Sequence, residues 1–196
     1  MKVLVEFPFK YLLAAKLCSA GNDVRYYLLG VHITQDFVEA TDGHRALRIN
    51  GKNDDAFMLS TENIFDLIIP RMTIDLVNKT LNAVRKRQAN VSVHESGTGE
   101  YQLSCDGLVF PFTPIDGRFP DVNRIIPKHT EAKHHAGFNW TLMADFTKIA
   151  KLLGDKYPQV GLVPNELCSA RVDFINHEHV QGIIMPMRLA ASKEAG

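Results

Sequence analysis

The chain has 196 residues, 45% apolar and 22% charged, and its 22 Lys+Arg balance 22 Asp+Glu. That length predicts one or two domains whose core buries about 70% of the unfolded surface. The neutral balance excludes a uniformly basic nucleic-acid binder or an acidic tail protein, and the composition excludes collagen-like and low-complexity chains. No apolar run approaches the ~18 residues that span a bilayer, and residues 1–10 lack a secretory pattern, so a soluble, cytoplasmic protein with no membrane partner is expected. Cys18, Cys105 and Cys168 are too few and too far apart for a disulfide framework or a zinc site, and are read as reduced, buried thiols. No cofactor or metal is expected.

In chain order, the pattern repeats three times. The first unit opens with an apolar strand on Val3, Val5 and Phe7, continues as a helix over 8–20, and ends in strands over 25–33, 37–41 and 46–50. The second has a strand over 64–69, a helix over 72–88, and strands over 91–95, 100–105 and 108–113. The third has a short strand near Phe138, a helix over 141–153, and strands over 160–163, 169–176 and 180–188. Each unit is therefore β-α-β-β-β, and the fold class is α+β.

Helical spacing places Ile74, Val77, Leu81 and Val84 on one stripe of the second helix, with Lys79 and Lys86 opposite. The third helix repeats this, with Leu142, Phe146, Ile149 and Leu153 as the apolar stripe and Lys148 and Lys151 away from it. In the first helix Lys16 falls within the arc of Phe9, Leu13 and Leu17, a position from which it can snorkel. The segments 8–20, 72–88 and 141–157 carry net charges of +2, +3 and +1, so the rest of this neutral chain carries −6. Basic helices beside acidic sheets polarise the surface and steer polyanions to one side, although exposed helix faces favour lysine in any protein.

Three segments are more specific. Arg25-Tyr26-Tyr27-Leu28 leads into Ala40-Thr41-Asp42-Gly43-His44-Arg45. Asp116-Gly117-Arg118-Phe119-Pro120-Asp121 precedes Arg124-Ile125-Ile126-Pro127, and Met185-Pro186-Met187-Arg188-Leu189 lies near the end. On β-α-β-β-β units, in this order, they resemble the β sliding clamp of bacterial DNA polymerase III. The resemblance covers a complete middle domain (1–130) and the second half of the last domain (131–189), with 190–196 as a flexible tail beyond the family pattern. It implies a ring with helices lining the hole and antiparallel sheets on the rim, through which duplex DNA passes without base readout. Sparse lysines (Lys10, Lys79, Lys86, Lys148, Lys151) would touch phosphate and permit sliding.

The resemblance also implies a pocket for short peptides of polymerases and other DNA enzymes. Its residues would be Leu28, Thr41, Gly43, His44, Arg45, Pro120, Arg124, Ile125, Leu167, Ser169, Ile183, Met185, Pro186, Met187, Arg188 and Leu189. Arg45, Arg124 and Arg188 would hold the peptide at the rim. Ala46 stands where the family usually has Leu, which makes the wall shallower. Ordinary edge-strand packing is the alternative reading of Met185-Pro186-Met187.

Unit counting gives an assembly. Helices ~10 Å apart and ~11 Å thick leave a hole of about 9 Å when six close a circle and about 28 Å when twelve do, against about 20 Å for duplex DNA. Family rings have twelve units, so three per chain imply four chains. Because neighbouring units alternate in direction, a chain of three begins and ends in the same orientation and only even numbers of chains close. A homotetramer follows, in which the third unit pairs with the same unit of a flipped neighbour; whether a clamp loader is needed stays open. Two other functions compete. A catalytic or metal site would use Asp42, His44 and Asp116, or His134-His135, or His177 and His179, but the Asp-Gly pairs are turn chemistry and no third and fourth ligand has suitable spacing. A clamp-derived module would capture the same peptides without encircling DNA.

Overall fold

The computed structural model of the chain describes residues 1–60, 64–84, 89–96, 98–126, 136–165 and 168–187. Strand β1 (Lys2–Pro8) buries Val5 and Phe7 and runs directly into helix α1 (Phe9–Lys16). Pro8 makes the change of direction, extended at φ −60° and ψ 128°, and contributes no side-chain cap. Strands β2 (Gly30–Thr34), β3 (Phe37–Thr41) and β4 (Arg45–Asn50) complete the first unit, and a two-residue β5 (Met58–Leu59) follows.

Strand β6 (Asp66–Pro70) leads through Pro70 into α2 (Arg71–Ala83) in the same way, followed by β7 (Asn90–Glu95), β8 (Tyr101–Cys105) and β9 (Leu108–Phe112). Asp106 and Gly107, both at positive φ (50° and 79°), close the β8–β9 hairpin, the conformation that a two-residue Asp-Gly turn supplies. The third unit is α3 (Trp140–Leu153), capped by the Asn139 side chain on the Thr141 amide, then β10 (Val160–Val163), β11 (Ala170–Phe174) and β12 (Val180–Ile184).

Neighbouring units exchange their first strands. One sheet runs β5-β1-β7-β8-β9, so β1 serves the second unit; the other runs β10-β11-β12-β4-β3-β2-β6, so β6 serves the first. The third unit extends that second sheet by pairing β12 with β4, in register from Val180 opposite Ile49 to Ile184 opposite Arg45. Helix α1 packs between α2 and α3. One core joins the three helices to the inner faces of both sheets, through Phe7, Leu12, Ile33, Leu47, Val77, Val93, Phe146 and Phe174. Helix α3 approaches β12 so closely that a Cβ at Gly182 would lie 2.7 Å from the Phe146 ring, so glycine is required there. The outer face of the seven-stranded sheet carries a smaller core of Leu28, Ala46, Ile68 and Ile183 under Phe119 and Val122, from the chain that follows β9.

Several local expectations change. The strand expected over 25–33 begins at Gly30, because Leu28 and Leu29 donate to the carbonyls of Arg25 and Tyr26 and wind 26–28 into a 3-10 turn. The first helix ends at Lys16, and the last strand at Ile184. Near Phe138 there is a single bridge, Gly137 opposite Met187, in place of a strand. Val84 is 48% exposed and does not join the apolar stripe of α2. The boundary expected at 130 lies outside the described residues.

Candidate functional site

All three units meet at an indentation of about 160 Å³ on the outer face of the seven-stranded sheet. Leu28 from the 3-10 turn, Val122 from the segment after β9 and Ile183 from β12 are buried and form its floor. Thr41, Gly43 and Arg45 of the β3–β4 turn, Pro120, Ile125 and Met185 form its walls, and Arg25 and Asp121 stand at its edge. The outward direction of Ile183 follows from strand alternation, since Gly182 and Ile184 on either side face α3 and the main core.

The turn beneath this indentation is held by its own side chains. Asp42 Oδ1 accepts from the amides of His44 (2.8 Å) and Arg45 (3.0 Å), and Thr41 Oγ1 donates to the Arg45 carbonyl at 2.7 Å. Gly43 sits at φ +89°, and a Cβ there would lie 3.1 Å from the Arg25 guanidinium, which bridges Asp23 and the Asp42 carbonyl. The carboxylate of Asp23 is pulled down to about 2 by the hydrogen bonds from Arg25.

Arg45 staples the first and third units. Its side chain is 10% exposed; Nε donates to Asp42 Oδ2 (3.1 Å), Nη2 to the Leu17 carbonyl at the end of α1 (2.7 Å), and Nη1 to Asp145 and the Leu142 carbonyl of α3. Burial opposes its charge, but the bond to Asp145 and the nearby carboxylates outweigh that and leave its pKa raised. Burial likewise opposes the Asp145 charge, and hydrogen bonds from Lys148 and Arg45 overcome it, leaving the carboxyl below its usual range. Beneath them Cys18 is fully buried, and its thiol is pushed up to about 12 by desolvation.

The segment that roofs the sheet is anchored by a buried polar chain. His32 lies 2.9 Å from both Glu39 and Asp66 and stacks on Phe119 with ring centres 4.6 Å apart. Glu39 accepts from Arg48 (2.6 Å), and Arg48 donates to Asn123 Oδ1 (2.6 Å). His32, Glu39 and Arg48 are all buried, and each has a partner, as a buried charge requires.

The expected pocket residues therefore fall into three groups. Leu28, Thr41, Gly43, Arg45, Pro120, Ile125, Ile183 and Met185 line one indentation. His44, Arg124, Ser169, Pro186 and Met187 do not line it: Ser169 Oγ donates to the Ile125 carbonyl at 2.5 Å, Arg124 is solvent-exposed beside Asp121, the His44 carbonyl accepts from the Met185 amide at 2.9 Å, and Pro186 and Met187 follow Met185 in the chain. Leu167, Arg188 and Leu189 lie outside the described residues. Arg45 is held by hydrogen bonds from all three of its side-chain nitrogens to groups of the chain itself, so the rim role expected for it is not what its geometry offers. Arg25, Asp121 and Val122 line the indentation in addition to the residues expected for it. The Arg25-Tyr26-Tyr27-Leu28 string held the signal for Arg25, obscured by its reading as strand.

The helix lysines are unequal. Lys10 Nζ donates to the Leu153 carbonyl at 2.7 Å and so caps α3, Lys16 pairs with Asp75 of α2, and Lys148 pairs with Asp145. Lys79 and Lys151 are exposed and make no ion pair among the described residues; Lys86 lies outside them. Of the rival sites, Asp42 is occupied by its own turn, and His134-His135 lie outside the described residues. His177 meets Asp155 at 3.2 Å, and burial lowers the pKa of His179. Among the described residues no three His, Cys, Asp or Glu side chains are grouped as metal ligands, and no helix is long and apolar enough to cross a membrane.

Repeated β-α-β-β-β units with exchanged first strands, helices on one side and a junctional pocket on the other, define a clamp-type repeat protein. No family model matches the chain. The β sliding clamp of Vibrio cholerae is 30% identical over 142 residues, which are 70% of this chain and 36% of that protein. That of Salmonella typhimurium is 28% identical over 170 residues, 85% of this chain and 42% of the clamp. The DNA polymerase sliding clamp of Pseudomonas aeruginosa has the same fold, with a TM-score of 0.72 at 19% identity over 96% of this chain and 68% of the clamp. A Bartonella birtlesii clamp bound to griselimycin matches with a TM-score of 0.69 at 18% identity, covering 96% of this chain and 67% of that one. The chain is thus a homologue of the bacterial β sliding clamps and spans less than half the length of the curated relatives it matches.

Proposed function

We propose that this protein is a DNA sliding clamp, a non-enzymatic, cytoplasmic processivity factor that encircles duplex DNA and tethers a polymerase or another DNA enzyme through the junctional pocket. The observation that carries the reading is the layered arrangement in a clamp homologue, with three helices side by side, Lys79 and Lys151 exposed on them, and antiparallel sheets behind. Contacts of that kind hold phosphate without reading bases, and processivity comes from closure of the ring.

The apolar floor of Leu28, Val122 and Ile183 with the adaptable Met185 suits a short apolar peptide, and Arg25 and Arg124 are the cations placed to meet its backbone or carboxylate. A micromolar affinity, roughly −8 kcal/mol, fits exchange between partners. Chains of three units close a twelve-unit ring as a homotetramer, with 1–130 as one complete clamp domain and 131–189 as a half domain. Flipped neighbours then place pockets on both faces of the ring. Native mass spectrometry with and without duplex DNA tests the assembly: four chains per particle are expected, and a stable monomer or trimer at micromolar concentration contradicts it. The engagement of Lys10, Lys16 and Lys148 within the chain favours one rival, a peptide-capturing module that does not encircle DNA. That rival predicts peptide binding by a monomer.

A further inference from the structure

The three repeats differ at one sheet edge. In the first unit, the outer edge of β2 is covered by β6 from the second, with Ile69 opposite Val31 and Leu67 opposite Ile33. In the second unit, the outer edge of β7 is covered by β1 from the first, with Phe7 opposite Val91 and Val5 opposite Val93. The corresponding strand of the third unit, β10, ends its sheet, with no strand beyond it among the described residues. The consequence is visible in burial. Val31, Ile33, Val91 and Val93 are all 0% exposed, whereas Leu162 is 37% exposed and Val160 is only half-buried. Both third-unit residues nevertheless point at the core, since they stand opposite the buried Phe174 and Val172.

The chain also holds an unused counterpart. The strands that cover β2 and β7 are the ones immediately before α2 and α1, and their core residues, Ile69 and Phe7, lie two positions before the helix begins. Two positions before α3 stands Phe138, half-buried, in a stretch whose only strand-like pairing among the described residues is the Gly137–Met187 bridge. Only residues 127–135 separate it from the end of the second unit's covering segment, too few for a sister unit of β-α-β-β-β.

We infer that a second copy of this chain supplies the missing strand. Residues 136–138 of each copy pair antiparallel with β10 of the other, placing Phe138 opposite Val160, Gly137 opposite Gly161 and Ala136 opposite Leu162. The contact is isologous, because each copy both gives and receives the strand. It completes a two-unit domain between chains by the same exchange that the first two units make within one chain. An existing bridge to Met187 is no obstacle, since β1 is itself paired on both edges, with β5 and β7. The inference rests on the ring reading above and names one of the two surfaces that would close the ring.

The test uses the full chain in a Cys168→Ser background, Cys18 and Cys105 being buried. On oxidation, Gly137→Cys/Gly161→Cys is expected to run as a covalent dimer on a non-reducing gel, while each single variant stays monomeric. Independently, Leu162→Glu, which places a charge on the exchanged edge, is expected to halve the native particle from four chains to two with an unchanged circular dichroism spectrum. A tetrameric double-cysteine variant that gives no covalent dimer, or a Leu162→Glu protein that remains tetrameric, overturns the strand exchange and leaves the ring reading standing. A parent chain that is monomeric throughout overturns both.

Discussion

At the junction of the first and third units, Arg45 is 10% exposed and Asp145 16%, and between them they tie α1, α3 and the β3–β4 turn together. On the helices, Lys79 and Lys151 are exposed and make no ion pair among the described residues. Both regions are rich in charge, and burial separates their roles. Buried charges are committed to internal geometry and shape the apolar pocket above them, whereas solvated ones remain available to a mobile polyanion at little cost to the fold.

The comparison is broken most forcefully at Arg45. Arg45→Ala takes the guanidinium from the Asp42 and Asp145 carboxylates, leaving Asp145 with the exposed Lys148 and Asp42 with its turn amides, and is expected to cost about 3 kcal/mol in urea unfolding. Arg45→Lys recovers only part of this, because an ammonium cannot reproduce the fork reaching Asp42, Asp145 and the Leu17 carbonyl at once. Ile183→Ala, in the pocket floor, is expected to cost about 2–4 kcal/mol and to weaken capture of a clamp-binding peptide measured by calorimetry. Lys10→Ala removes the cap on α3 and is expected to cost about 1 kcal/mol, a thermal-melt loss that a solvated lysine does not produce. Smallest in stability is Lys79→Ala/Lys151→Ala, within about 0.5 kcal/mol, yet the slope of log K for DNA against log salt should fall by about 1.8 while peptide binding is unchanged.

Acid sharpens the same contrast. His179 is held below its ordinary 6.5 by burial, so the unfolded chain takes up a proton first and stability begins to decline as pH falls below 6.5. The Asp145 carboxyl is lowered from 3.8, so its contribution is present above that value and is lost as pH falls through the lowered one. Unfolding midpoints measured from pH 7 to 2 should show both stages. Asp145→Asn should start lower and show a smaller second stage, since the lowered Asp23 carboxyl still titrates there.

How far the sequence could be read follows from which interactions are local. Helix α3 and strands β3 and β10 were legible almost to the residue, because an apolar stripe and short runs rich in valine and aromatic residues are written locally. The pocket was legible only through family strings, since Leu28, Pro120 and Ile183 come from three units and no spacing joins them. The 3-10 turn at Tyr26-Tyr27-Leu28 was misread because two aromatics and a leucine favour strand, while two turn hydrogen bonds and contact with the roof decide otherwise. The inward commitment of Arg45 was invisible for a similar reason: its principal partner, Asp145, is a hundred residues away. Exchange of β1 and β6 between units is tertiary pairing, for which no local signal exists.

The proposed function requires a ring that closes around DNA. The most direct measurement loads the protein onto a nicked circular duplex, isolates the complex by gel filtration in high salt, and then linearises the DNA. Retention on the circle followed by release from the linear molecule is the predicted result. Equal dissociation from circular and linear DNA would contradict it.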